Sequence, residues 1–295
     1  MNLVADKFLL VLSPVRDEED TLTCTIASVL AQSRRPDAWL LIDDGSTDGT
    51  RRVMEQAAAE HDFITVAAML DRGHRQPGPG VVEAFELGLR LAEGQAWDFV
   101  GKLDGDVELP CDYYQRILEA FEDDGRLGIA SGVCVTPHRG GYRTEANAPF
   151  HTRGPCKVYR RACFEAIGGL APMLGWDGAD GYAARSKGWS TKSLSELKVI
   201  HFRPTHAADG RLGGAMRAGL GAWNLHYRPD YLLARALLAS LRQPYGLGGL
   251  GLLVGYAQGL LSGAEGLKDP ELLAYIRRQQ ARRLWGRFGL GSGED

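Results

Sequence analysis

The first hundred residues alternate short apolar runs with amphipathic stretches. Residues 8–14, "FLLVLSP", form an apolar run closed by Pro14. After a polar interval, residues 21–32 place Leu22, Ile26, Val29 and Leu30 at helical spacing, so a strand feeds a helix. The pattern repeats: residues 39–42 are apolar, Gly45-Ser46-Thr47-Asp48 supplies turn and N-cap chemistry, and residues 51–60 continue as a helix. Residues 63–69, 81–94 and 97–103 extend the series as strand, helix and strand. Strands separated by helices of this length imply right-handed crossovers. The expected fold is α/β, Rossmann-like, with a mainly parallel sheet carrying helices on both faces. Ligands of such sheets bind beyond the carboxyl ends of the strands.

Acidic residues collect where that rule puts a ligand. Asp17 and Glu18, Asp43 and Asp44, and Asp104 and Asp106 each follow a predicted strand end, so three acidic pairs are expected on one rim. In "KLDGDVELP", Asp104 and Asp106 stand at i and i+2 with Gly105 between them to permit a sharp bend, an arrangement that offers oxygen to a hard cation such as Mg²⁺ or Mn²⁺. The loop "DRGHRQPGPG" (71–80) sets Arg72 and Arg75 among glycines ahead of a helix, a composition suited to phosphate or nucleoside contacts and equally to a solvated turn.

"LIDDGSTDGT", "KLDGDVELP" and "VYRRACFEAIGGL", in this order and spacing, resemble the inverting family 2 glycosyltransferases of GT-A fold, over roughly residues 6–205. The resemblance implies a nucleotide-sugar donor, with UDP the expected carrier, and a hydroxyl acceptor in polysaccharide, glycolipid or cell-envelope glycan synthesis. The loop Pro14, Val15, Asp17 together with Asp44 would hold the nucleoside, Asp43 would assist at the base or ribose, and Lys102, Asp104, Gly105 and Asp106 would surround the metal–diphosphate. Where the family commonly has Asn, this chain has Arg16 or Asp17. Charge logic agrees with the metal: leaving diphosphate concentrates negative charge, which a divalent cation stabilises, with Asp106 as primary ligand. A sugar nucleotidyltransferase, the enzymatic alternative, opens with a Gly-rich basic loop, whereas "SPVRDEED" has no glycine and would repel a triphosphate. A non-catalytic nucleotide-sugar or lipid-binding module is the other alternative; such a binder would release no nucleoside diphosphate.

Within residues 161–169, "ACFEAI" reads as a helix ended by Gly168-Gly169. "GWDGAD" is expected as a turn ahead of a helix, with Trp176 as a sugar platform, and a strand "LKVIHF" follows. His201 at that strand's end is a candidate third metal ligand, with a structural histidine as the open alternative and His206 as a second candidate. Inversion needs a carboxylate opposite the leaving group that is not a metal ligand. Counting back from Gly188, which matches a glycine of the resembled family, assigns that base to Asp177 and leaves Asp180 as a helix N-cap or acceptor contact.

The last third differs in kind. Residues 1–210 hold 23 Lys/Arg against 31 Asp/Glu and residues 211–295 hold 11 against 6, so the parts carry about −8 and +5. The expected division is a catalytic domain over 1–210 and a helical appendage over 211–295. Residues 243–264 contain no charge, and Gly251, Gly255, Gly259 and Gly263 recur every fourth position, a smooth stripe for close helix packing or shallow membrane contact. "DPELLAYIRRQQARRLWGRFG" begins with an Asp N-cap and mixes Arg277, Arg278, Arg282, Arg283 and Arg287 with apolar residues, which suits anionic lipid or a lipid-linked acceptor. The aromatic-and-basic interleaving of a nucleic-acid groove is absent from the acidic first part. The five cysteines form no Cys-x-x-Cys pair and read as free, mostly buried thiols, and no residues near the start have signal-peptide character. The expected location is the cytoplasm, peripheral to the inner face of the cell membrane.

Overall fold

The computed structural model describes residues 7–138, 140–145, 148–203, 210–241 and 245–285. Its first seven elements realise the predicted alternation: β1 (Leu9–Val15), α1 (Glu19–Leu30), β2 (Ala38–Asp43), α2 (Thr50–Glu60), β3 (Ile64–Ala68), α3 (Pro79–Leu91) and β4 (Phe99–Leu103). β1 runs parallel to β2 and to β4, and β2 runs parallel to β3. Side chains alternate across a strand, so each apolar run serves two layers. Leu9, Val11 and Val15 of β1 pack with Trp39 and Leu41 of β2 against Leu22, Ile26 and Val29 of α1 and Met54 of α2. On the other face α3 rides close to the sheet, because a Cβ at Gly88 would lie only 3.0 Å from Leu12 Cδ2 and 3.1 Å from Ile42 Cδ1.

The second half of the sheet is mixed. β5 (Val107–Glu108), α4 (Tyr113–Asp123), β6 (Leu127–His138), β7 (Gly141–Thr144), β8 (Cys156–Arg160), α5 (Arg161–Ile167), α6 (Trp176–Ser186) and β9 (Ser190–His201) follow. The sheet order is β3-β2-β1-β4-β8-β6-β9-β5, with β7 paired to β6. β8 enters antiparallel between β4 and β6, and β9 runs parallel to β6 and antiparallel to β5. Hydropathy did not announce β6, whose sequence "LGIASGVCVTPH" is broken by small residues. At Gly132 the small residue is a steric requirement: a Cβ there would sit 2.5 Å from the Leu197 carbonyl oxygen. The helix expected over "ACFEAI" is α5, and it ends as expected, with Gly168 left-handed at φ 77°.

The helices α7 (Gly210–Asn224), α8 (Pro229–Ser240), α9 (Leu247–Ser262) and α10 (Pro270–Trp285) follow among the described residues. Contacts divide the molecule into two compact units, residues 1–172 with 187–203 and residues 173–186 with 204–295. This differs from the expected 1–210 and 211–295 division chiefly at α6, which groups with the C-terminal helices. The physical cause is local: Asn224 Nδ2 donates to the Leu174 carbonyl at 3.1 Å. Gly175, left-handed at φ 91°, also lets the chain pass against Gly221.

Within the helical unit the glycine stripe is a packing seam. A Cβ at Gly255 would fall 1.9 Å from the Met216 carbonyl oxygen, one at Gly259 2.5 Å from the Trp223 ring, and one at Gly219 of α7 2.1 Å from the Leu252 carbonyl oxygen. Gly263 has another role, as the left-handed C-cap of α9. Asp269 caps α10 by accepting from the Glu271 and Leu272 amides at 2.9 and 3.0 Å. Arg277, Arg278, Arg282 and Arg283 of α10 are exposed; Arg287 and His206 lie outside the described residues. Among the described residues no helix is long and apolar enough to cross a membrane.

Candidate active site

The parallel half of the sheet delivers its acidic loops as the alternation predicted. β4 ends at Leu103, and the Asp104 amide donates to the Pro155 carbonyl at 2.9 Å, which fixes the turn onto the β8 approach. The antiparallel register of β5 and β9 places His201 opposite Val107, one residue beyond Asp106, and the Phe202 amide donates to the Asp106 carbonyl at 3.0 Å. The pairing therefore brings Asp104, Asp106 and His201 together, with one ligand atom from each lying within 4.8 Å of the others. His201 Nε2 lies 3.6 Å from Asp106 Oδ1.

The donor set fits a divalent cation. Two carboxylates supply the hard oxygens that Mg²⁺ and Mn²⁺ take, and the imidazole nitrogen tips the set toward the transition ion Mn²⁺. His201 is buried and its Nδ1 makes no hydrogen bond, while Glu145 Oε1 stands 3.7 Å from that nitrogen. Burial opposes protonation of His201, but the hydrogen bond and charge of Asp106 outweigh it and the pKa is raised. A cation bound here would favour the neutral imidazole, the form that ligates a metal.

Positive side chains hold these carboxylates. Lys102, 3% exposed, bonds Asp104. Arg203 bonds Glu18 and reaches Asp106 Oδ2 at 3.3 Å, and Arg75 Nη2 lies 2.6 Å from Glu18 Oε1. The Glu18 side chain is only 4% exposed, so one buried carboxylate anchors two guanidinium groups. Burial lowers the Arg203 pKa, although a guanidinium stays charged at physiological pH.

The nucleoside-side candidates form a second cluster. The Asp44 amide donates to the Val15 carbonyl at 2.8 Å, carrying the β1–β2 pairing past Pro14 and Asp43. Asp44 bonds Arg72, which also holds Glu83 at 2.5 Å, and burial raises the Asp44 pKa against the pull of Arg72. Asp43 is buried and accepts the Ser46 amide at 2.8 Å, a turn-forming contact. Asp17 adopts a left-handed φ of 52°, donates its amide to Ser46 Oγ at 3.1 Å, and accepts the Thr47 amide at 2.8 Å, which ties the two loops together.

Several expectations change here. Gly105 makes no left-handed bend; a Cβ there would crowd the Val15 side chain at 3.1 Å from Cγ1. In the loop 71–80 Arg72 is half-buried against Asp44 and Glu83, while Arg75 stays 46% exposed on a largely exposed turn and reaches Glu18 from there. Trp176, Asp177 and Asp180 are not in a turn ahead of a helix but inside α6, which starts at Trp176. Asp180 is therefore not an N-cap; it is buried in the second turn, and Asp177 is half-buried in the first. Glu145 and Arg203 were not singled out by sequence: each reaches the cluster across a large sequence separation, and neither belongs to a local motif.

Comparison with known proteins gives this geometry its setting. Residues 10–170 match the model of Glycosyl transferase family 2. Poly-beta-1,6-N-acetyl-D-glucosamine synthase of Staphylococcus aureus (strain MSSA476) is 29% identical over 116 residues, 39% of this chain and 26% of that protein, so the chain matches about a quarter of that relative. Among solved structures, S. aureus TarS 1-349 in complex with UDP-GlcNAc superposes with a TM-score of 0.57 at 16% identity, covering 95% of this chain and 92% of that one. The mannosyltransferase PcManGT from Pyrobaculum calidifontis, in complex with GDP-Man and Mn²⁺, gives 0.54 at 17% identity, covering 95% and 87%. These structural likenesses show a shared GT-A fold. With more than half of the chain matched by the family model, through all three acidic pairs, the chain belongs to glycosyl transferase family 2.

Proposed function

We propose that the protein transfers a sugar, with inversion, from a nucleoside-diphosphate donor to a hydroxyl acceptor in cell-envelope polysaccharide or glycolipid synthesis. The observation that carries this reading is the Asp104–Asp106–His201 cluster at the end of β4 in a chain of this family. UDP is the favoured carrier, in keeping with the UDP-GlcNAc complex of TarS.

Asp104, Asp106 and His201 would hold a divalent cation, which would neutralise charge developing on the departing diphosphate. The Mn²⁺ complex of the mannosyltransferase supports that choice. Arg75 and Arg203, now held by Glu18, present guanidinium groups for phosphate oxygens, and bidentate contacts of this kind orient as well as attract. Pro14, Val15, Asp17, Asp43 and Asp44 shape the nucleoside side, with Arg72 set by Asp44. Lys102 and Gly105 keep Asp104 and Asp106 in place. Asp177 takes the proton from the attacking acceptor hydroxyl, and Trp176 and Asp180 support the acceptor-side pocket. The exposed arginines of α10 attract an anionic membrane surface, placing the enzyme at the inner face of the cell membrane.

The test is a panel of nucleotide sugars offered to the purified protein with and without Mn²⁺. One donor should raise the melting temperature only when Mn²⁺ is present, and its nucleoside diphosphate should be released. Full release in excess chelator would remove the metal from the mechanism; no release with any donor would leave a binding module.

A further inference from the structure

The outer face of α8 and α9 is built inside out. In a helix at a water boundary, large apolar residues turn inward and polar ones outward. In α9 the buried positions are Gly249, Gly251, Gly255, Gly259 and a single large residue, Leu252. The large residues outside the glycine seam are exposed: Leu250 at 55%, Val254 at 43% and Leu261 at 85%. α8 adds Leu237 at 64% and, at its C-cap, Leu241 at 66%, and Tyr245, which precedes α9, is 71% exposed. Small residues at the helix contact and leucines outward is the arrangement helices adopt in lipid, where outward leucines cost nothing and close backbone approach supplies the packing.

The structure assigns this α8–α9 face as a bilayer-docking surface that seats the protein shallowly in one leaflet. Two further observations select lipid. No Asp or Glu occurs between Tyr231 and Ala264, so nothing in the segment repels anionic headgroups, and the same unit carries the exposed arginines of α10. Leu247, Leu250, Leu253, Val254 and Leu261 are all exposed along the arc of α9 turned away from the glycine seam, an apolar stripe of the kind that sinks into acyl chains. At about 1.5 Å per residue, the 16 residues of α9 fall short of the roughly 30 Å hydrocarbon core, so the helix lies in the leaflet without crossing it. This surface is distinct from the basic face of α10 and does not depend on the chemistry proposed above.

Flotation of the full chain with phosphatidylcholine vesicles, with and without phosphatidylglycerol, tests the assignment at low and at ~0.5 M salt. The wild type should float with both vesicle types and retain a salt-resistant fraction, since burial of apolar side chains is not screened. Leu237→Gln, Leu241→Gln, Leu250→Gln and Val254→Thr combined should lower vesicle affinity at least about tenfold at either salt, with an unchanged circular dichroism spectrum. Arg278→Glu with Arg282→Glu should remove only the salt-sensitive part. Donor cleavage without vesicles should be the same in the four-residue variant as in the wild type, so failure of the transferase reading would not touch this one. Wild-type flotation by the four-residue variant overturns the assignment, as does a wild type that binds no vesicle. A wild-type dimer converted to monomer by the variant, with vesicle binding unmoved, assigns the face to a second copy instead.

Discussion

The sheet unit and the helical unit bury opposite things. In the sheet unit Trp39, Tyr113, Tyr114 and Phe85 are essentially inaccessible, and charged groups are drawn inside with their partners: Lys102 beside Asp104, Glu18 between Arg75 and Arg203. In the helical unit the seam is glycine and the leucines face outward. A buried charge is costly unless paired, so a cluster of paired ones marks a place where charge is to be exchanged with a ligand. Exposed leucines are costly in water, so a continuous face of them marks a place where water is to be displaced. One unit is organised around electrostatics and the other around an apolar boundary.

The sharpest way to break that division is Asp177, a carboxylate of the helical unit proposed as the base. Asp177→Asn retains shape and removes basicity, so sugar transfer should fall by ~10² to 10⁴ while donor affinity, read by calorimetry, barely moves. Normal transfer by this variant, with loss in Asp180→Asn, would exchange the two roles.

Asp106 tests the other side. It is 9% exposed and bonded to Arg203, which makes it a buried member of a charge network and not a surface turn residue. Asp106→Asn keeps its volume, and should cut transfer by about 10² to 10³ and weaken Mn²⁺ binding measured directly on the protein. Unaltered Mn²⁺ affinity would move the cation away from this cluster.

How far the sequence showed this follows from which forces are local. The β1 to β4 alternation was legible because each strand and helix carries its own hydrophobic period, and the carboxylates of 43–44 and 104–106 were legible because strand ends place them. β6 was hidden because small residues and Pro137 break its hydropathy, while Gly128 and Gly132 answer to the close neighbours Cys163 and Leu197, not to strand propensity. The start of α6 was misplaced because Gly175 and Gly178 look like turn residues, while only Gly175 is left-handed. Arg203 and Glu145 could not be read at all, since their partners Glu18, Asp106 and His201 meet them only after the sheet has closed.

The glycine seam offers a smaller, structural test. Gly255→Ala puts a methyl group into the Met216 carbonyl, and backbone yields little, so overpacking should destabilise the helical unit by about 1–3 kcal/mol. Gly125→Ala, where nothing lies within 4 Å, should remain within ~0.5 kcal/mol of wild type in the same denaturation experiment. Equal effects at the two sites would mean that α7 and α9 are not held by close approach.

The smallest effect expected is electrostatic and lies at the start of α8. Asp230 accepts from Arg228 Nη2 at 2.7 Å, from the Tyr231 amide at 2.8 Å and from Trp285 Nε1 at 3.2 Å. The Arg228 hydrogen bond leads in holding its pKa down to about 2, against the opposing effect of burial and with help from the Trp285 and Tyr231 hydrogen bonds. A carboxylate with a depressed folded pKa adds stability above its unfolded value of roughly 4, and that stability is lost as pH falls toward about 2. Its side chain is 32% exposed, so solvent screening reduces the contribution to no more than ~1 kcal/mol. Asp230→Asn should therefore melt slightly below wild type at neutral pH, and the gap should narrow between about pH 4 and pH 3. A gap that widens on acidification would mean that Asp230 is stabilised as the neutral acid, and that the helical unit shares the buried electrostatics of the sheet unit after all.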